Sequence, residues 1–147
     1  MKKIVSISDA ASLAMHTMAI LAAHPDKMLS TREAANMLDA SVHHLSKVLQ
    51  RLQRQGMLKS VRGPRGGFRI ADDWENITLM DIYEVMEGPF RPATCLLSRK
   101  ACPGDSCILG SALHEVNEII EKTLTDKTLG DLIKGFPLHN KNREKIS

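Results

Sequence analysis

Residues 41–71, SVHHLSKVLQRLQRQGMLKSVRGPRGGFRIA, carry the pattern that decides the fold. Val42, Leu45, Val48, Leu49 and Leu52 recur at helical spacing on one stripe, and His43, Ser46, Lys47, Gln50 and Arg54 fall on the opposite face. Ser41 is a favoured residue for the start of this helix, and Gly56 stands where helices commonly end in a left-handed residue. Upstream, LSTREAANMLDAS places Ser30 and Glu33 three residues apart, the spacing at which two side chains cap each other's backbone N–H groups. This predicts a short helix to about Leu38 and a tight turn over Asp39, Ala40 and Ser41. Two helices joined by such a turn, the second basic on its outer face, describe a helix-turn-helix, although ordinary helical hairpins share the pattern. The continuation MLKSVRGPRGGFRIA narrows the choice. It reads as a strand, a Gly/Pro loop and a returning strand in which Phe68 and Ile70 alternate with Arg69. The hairpin tip, residues 62–67, is a basic wing whose Arg62 and Arg65 are placed to enter a minor groove. A phosphate-cradling nucleotide loop fits poorly, because the lysine of a P-loop and the GxGxxG spacing are both missing.

Charge supports a polyanion as partner. From Ala40 to Ala71 there is no Asp or Glu, while Lys47, Arg51, Arg54, Lys59, Arg62, Arg65 and Arg69 are all present. That segment carries +7 in a chain of net +3, leaving −4 on the remainder. The 147 residues are 43% hydrophobic but only 3% aromatic, which suits one domain of helices packed around an aliphatic, methionine-rich core.

The expected class is mainly α with a small β-hairpin: a winged helix-turn-helix domain (residues 1–88), a cysteine-containing loop (89–110), a long dimerisation helix with a short terminal helix (111–135), and a flexible basic tail (136–147). A first helix is expected over 9–23, ended by His24-Pro25-Asp26. Its apolar run is broken by Asp9, Ser12, His16 and Thr17, so it reads as an amphipathic helix and not a signal peptide or a membrane span; the protein is expected in the cytoplasm. Thr78 and Asp81 predict another capped helix ending at Gly88-Pro89. A long helix is expected from near Ile108, with Leu109, Leu113, Val116, Ile120 and Leu124 forming a narrow seam that suits a partner helix. Thr128 and Asp131 begin a last short helix ending at Gly135.

All three cysteines, Cys95, Cys102 and Cys107, lie in TCLLSRKACPGDSCILG, residues 94–110. In a reducing compartment, thiols gathered in one Pro- and Gly-marked loop point to metal or redox chemistry more than to disulfides. Zinc usually takes paired ligands two to four residues apart and a fourth partner, and no CxxC occurs here. A cluster-free thiol switch and inert buried thiols are further readings. An iron–sulfur cluster, held by three thiolates from one adaptable loop, fits best. No Ser/His/Asp set or metal-hydrolase motif suggests an enzyme.

With the wing segment SVRGPRGGFRIA, the preceding HLSKVLQRLQRQGML, the three cysteines after the fourth helix and TLGDLI, the chain resembles the iron–sulfur winged-helix transcription regulator family that includes IscR and NsrR. The resemblance spans roughly residues 4–135. It implies a homodimeric repressor of a palindromic operator in double-stranded DNA. Ser41, His43, His44 and Lys47 would face the major groove with Arg51 beside them; Arg62 would read the minor groove and Arg65 would contact phosphate or the groove floor. It also implies a 2Fe–2S or 4Fe–4S cluster on Cys95, Cys102 and Cys107, sensing nitric oxide, redox state or iron–sulfur status, with a fourth ligand, His16 or Asp9, from the partner subunit. The chain departs from the family in three places: the middle cysteine is shifted by one residue, Gly110 replaces a ligand histidine of some relatives, and Ser12 replaces the usual carboxylate. Asp9 is otherwise expected to cap the first helix; His114 and Asp105 are weaker candidate ligands.

Overall fold

The computed structural model describes residues 7–97, 99, 101–102 and 107–135. Their elements are α1 (Asp9–Ala23), α2 (Thr31–Met37), α3 (Val42–Arg54), β1 (Leu58–Val61), β2 (Gly67–Ile70), a 3₁₀ turn (Trp74–Asn76), α4 (Leu79–Glu87), α5 (Ala112–Asp126) and α6 (Leu129–Gly135). The family-level expectation of a mostly helical chain with one antiparallel hairpin is met. Helix α1 lies at the centre, burying Ala11, Ala14, Thr17, Met18, Leu21 and Ala22 against α3, α4 and α6. The fully buried core is Leu, Ile, Val, Met and Ala with a single tyrosine, and Phe68, Trp74 and Phe90 pack against its edge.

Helix starts follow local chemistry. At α2, Ser30 Oγ accepts from Glu33 N (3.2 Å) while the Glu33 carboxylate accepts from Ser30 N (2.8 Å). The same reciprocal pair forms at α4 between Thr78 and Asp81 (2.9 and 3.0 Å) and at α6 between Thr128 and Asp131 (3.1 Å each). The last two starts are cross-linked: Leu79 N donates to Lys127 O (2.9 Å) and Leu129 N to Ile77 O (2.8 Å). Helix α3 closes through Gly56 N to Gln53 O (2.9 Å) and Met57 N to Leu52 O (3.1 Å), which satisfies carbonyls its last turn would otherwise leave unpaired.

Strands β1 and β2 pair with Leu58 opposite Ile70 and Ser60 opposite Phe68. Leu29 adds a bridge to Phe68, with both N–H···O bonds at 2.8 Å, so the wing is tied to the entrance of α2. That tie explains Gly67: a Cβ there would lie 2.6 Å from the Leu29 carbonyl oxygen, closer than any side chain tolerates.

One expectation is corrected. Helix α5 begins at Ala112, not near Ile108; residues 108–111 form turns, because Gly110 adopts the left-handed region (φ 57°) and its N–H closes onto Cys107 O (2.9 Å). Part of the seam expected to face a partner helix packs within the chain. Leu113 and Leu124 are buried, Ile120 packs on the core, and the buried stripe runs through Asn117. A helical seam specifies that something apolar covers it, and here α4 of the same chain does so. The apolar residue that α5 leaves outward is Ile119, 65% exposed. The tail beyond Gly135 and Asp105 of the cysteine loop lie outside the described residues.

Candidate nucleic-acid interface and cysteine loop

The acid-free segment folds into one head. Leu45, Val48, Leu49 and Leu52 anchor α3 in the core, leaving His43, Lys47, Gln50 and Arg54 exposed as their spacing predicts, with Ser46 half-buried and Ser41 and His44 exposed beside them. Arg62 and Arg65 stand exposed at the wing tip. Lys47, Arg54, Arg62 and Arg65 make no ion pair among the described residues, so their charge is available to a ligand. Lys59 and Arg69 are instead shared with Asp72 at the base of the hairpin; the hydrogen bond and charge of Lys59 hold the Asp72 carboxyl below its ordinary value of 3.8. Gln53 Nε2 donates to Ser60 Oγ at 2.6 Å, which fixes the angle between α3 and the wing.

Two of the expected DNA-facing residues have jobs inside the fold. Ser41 Oγ accepts from His44 N (3.3 Å) and so caps α3. Arg51 turns its Nη2 onto the carbonyls of Val85 (2.8 Å) and Met86 (3.1 Å), a cation placed at the C-terminal end of α4. That bond gives Arg51 a role inside the fold: it joins the recognition helix to α4. Charge counting could not foretell this, since an arginine in a basic run looks alike whichever way it points.

Helix α4 leads directly into the cysteine loop. Glu84 accepts from Phe90 N (3.3 Å), and the Tyr83 and Phe90 rings meet edge to face at 5.6 Å. Burial, with help from Glu87, raises the Tyr83 phenol above its ordinary value of 10.0. From α5, the buried Asn117 donates Nδ2 to Ala93 O at 2.8 Å, holding the backbone two residues before Cys95. Asn117 escaped the sequence reading, yet a signal existed: it interrupts the stripe Leu113, Ile120, Leu124, and a buried amide needs a partner.

The thiols are free, with Cys95 and Cys102 half-buried and Cys107 exposed. Thiolates in this number, on one loop, fit an iron–sulfur group as donors. Among the described residues, however, no three Cys, His, Asp or Glu side chains come together as a metal site. Of the candidate fourth ligands, His16 is exposed on α1 with Nδ1 2.7 Å from the Ser12 carbonyl. A carbonyl only accepts, so Nδ1 carries the proton and Nε2 is left outward, an arrangement common in metal-binding histidines. Asp9 is exposed in the first turn of α1, but the cap expected of it is supplied by Ser8, whose Oγ accepts from Ala11 N (3.1 Å). His114 Nε2 lies 3.2 Å from the Glu118 carboxylate on the same helix.

Residues 7–135 match the profile of the Rrf2 family, described as an iron-dependent transcriptional regulator. The chain belongs to the Rrf2 family. BadM of Rhodopseudomonas palustris is 34% identical over 128 residues, covering 85% of this chain and 79% of BadM. The solved structure of CymR, the global cysteine regulator of Bacillus subtilis, is similar at a TM-score of 0.72 with 27% identity, covering 90% of this chain and 98% of CymR. The structure of T. potens IscR is similar at 0.64 with 25% identity, covering 88% and 87%. As an Rrf2 member the chain is a DNA-binding transcription regulator; regulators of this family form dimers, and its relatives are named as regulators and not as enzymes. No helix among the described residues is long and apolar enough to cross a membrane.

Proposed function

We propose that this Rrf2 protein is a homodimeric repressor that binds a palindromic operator and whose binding is set by its cysteine loop in the cytoplasm. The observation that carries the first half is the exposed, acid-free face formed by α3 and the wing. His43, His44 and Lys47 would meet the major groove, with the Ser41 hydroxyl still able to donate to phosphate; Arg62 and Arg65 would enter or border the minor groove. Arg51 would act from behind, holding α3 on α4. Neutralising ~6 phosphates per dimer gives a log–log salt slope of about −5. A binding titration on operator DNA at several salt concentrations tests this; a slope near zero contradicts it.

For the second half, Cys95, Cys102 and Cys107 would hold an iron–sulfur cluster, with His16 or Asp9 of the partner subunit completing the ligand set. When bound, such a group supplies a centre reactive toward nitric oxide, oxygen and loss of iron. The chain's own residues carry the consequence. Asn117 and Glu84 clasp the start of the loop between α5 and α4, and Arg51 fixes α3 to the end of α4. A change in the loop therefore bears on the element that seats the recognition helix. Coupling of ~1–3 kcal/mol gives a 5- to 150-fold change in operator affinity.

A cluster-free thiol switch is the second reading, favoured by similarity to CymR, a cysteine regulator. Iron and acid-labile sulfide, measured on protein purified without oxygen, separate the two. Equal iron and sulfide, lost in Cys102→Ala, support the cluster; protein without either, even after anaerobic reconstitution, leaves the thiol switch.

A further inference from the structure

The helical stripe assigns Val42 to the core with Leu45, Val48, Leu49 and Leu52, and the structure takes it out. Those four are at most 2% exposed, whereas Val42 is 44% exposed. It is the first residue of α3, beyond the reach of the helices that cover the rest of the stripe. In an α-helix the Cα–Cβ bond tilts toward the N-terminus, so the two Val42 methyl groups project past the first turn. That is the end of a recognition helix that approaches base edges. Around the helix Val42 sits about 60° from Leu45, on the flank of Gln53, which faces the wing through Ser60. Its neighbours Ser41, His43 and His44 are polar and exposed.

An uncharged, apolar side chain there gains nothing from phosphate and cannot hydrogen-bond a base edge. The major groove offers it one apolar feature, the C5-methyl of thymine. We propose that Val42 is a specificity-determining residue that packs on a thymine methyl in each operator half-site. The inference rests on the DNA-reading face proposed above and deepens it by naming a base.

The test uses duplexes that the wild-type protein itself enriches from a random-sequence pool. Each thymine of the enriched half-site is replaced in turn by deoxyuridine, which deletes only the methyl group, and affinity is read by fluorescence anisotropy for wild type and Val42→Ala. Alanine is the better helix former, so α3 is retained. One thymine per half-site should weaken wild-type binding about fourfold when replaced, the effect of one buried methyl, and Val42→Ala should not register that replacement. Wild-type binding indifferent to every replacement, or an equal loss in Val42→Ala, overturns the inference while leaving the DNA-reading face intact. Enrichment of no sequence at all overturns that face, and this inference with it.

Discussion

The reading head and the cysteine loop are built on opposite terms. In the head, the helix ends are closed by bonds between residues a few positions apart, Ser30 with Glu33, Ser41 with His44 and Gly56 with Gln53, and the wing is tied back by Leu29 to Phe68. Lys47, Arg54, Arg62 and Arg65 face outward with no ion pair among the described residues, so the head is open toward a ligand. The loop, by contrast, takes part of its anchorage from a later helix: Asn117 of α5 holds Ala93, while Glu84 holds Phe90 from the adjoining end of α4. A surface open to DNA is thus joined, through Arg51 and α4, to the start of the cysteine loop.

The contrast can be broken first at the head. Arg62→Ala with Arg65→Ala should weaken operator binding roughly 100-fold or more, since each groove contact is worth about 1–3 kcal/mol. Thermal unfolding should not change, because neither side chain has an ion pair within the described fold. Anisotropy and a melting curve on the same preparation check both halves. Gly67→Ala should do the reverse, acting on stability. Its Cβ would meet the Leu29 carbonyl oxygen at 2.6 Å, and a loss of about 2–3 kcal/mol in urea denaturation is expected.

Asn117→Ala tests the loop's clasp. Removing the amide leaves the Ala93 carbonyl without its partner at a cost of about 1–2 kcal/mol. Alkylation of Cys95 should accelerate while that of exposed Cys107 stays unchanged; equal rates at Cys95 in both proteins would show that Asn117 does not restrain it. The smallest effect belongs to Glu33→Gln. The bonds from Ser30 N and Oγ hold the Glu33 carboxyl below its ordinary value of 4.5. Its contribution is therefore present at neutral pH and is lost as pH falls through the lowered folded-state value. The wild type should exceed the variant in urea midpoint at pH 7, and the gap should narrow as the pH is lowered through the acid range.

These differences track what a sequence can express. Capping pairs, the Gly56 stop and the hairpin were legible because each is decided by residues close in the chain. Val42 was misread because periodicity places a residue on a face but does not say where the covering helices end. The α5 seam was legible only in part: Leu113, Ile120 and Leu124 demand apolar cover without naming its source, and α4 of the same chain supplies some of it. Arg51 and Asn117 act across 34 and 24 positions of sequence, a distance at which composition carries no directional information. The thiols were legible because all three fall within one short stretch.

The account stands on control of the head by the loop, and one comparison tests that most directly: operator affinity of wild type and Cys102→Ala, both purified and titrated without oxygen. A 5- to 150-fold difference is predicted, with both proteins melting alike. Equal affinities would contradict the coupling and reduce the cysteine loop to a bystander of DNA binding.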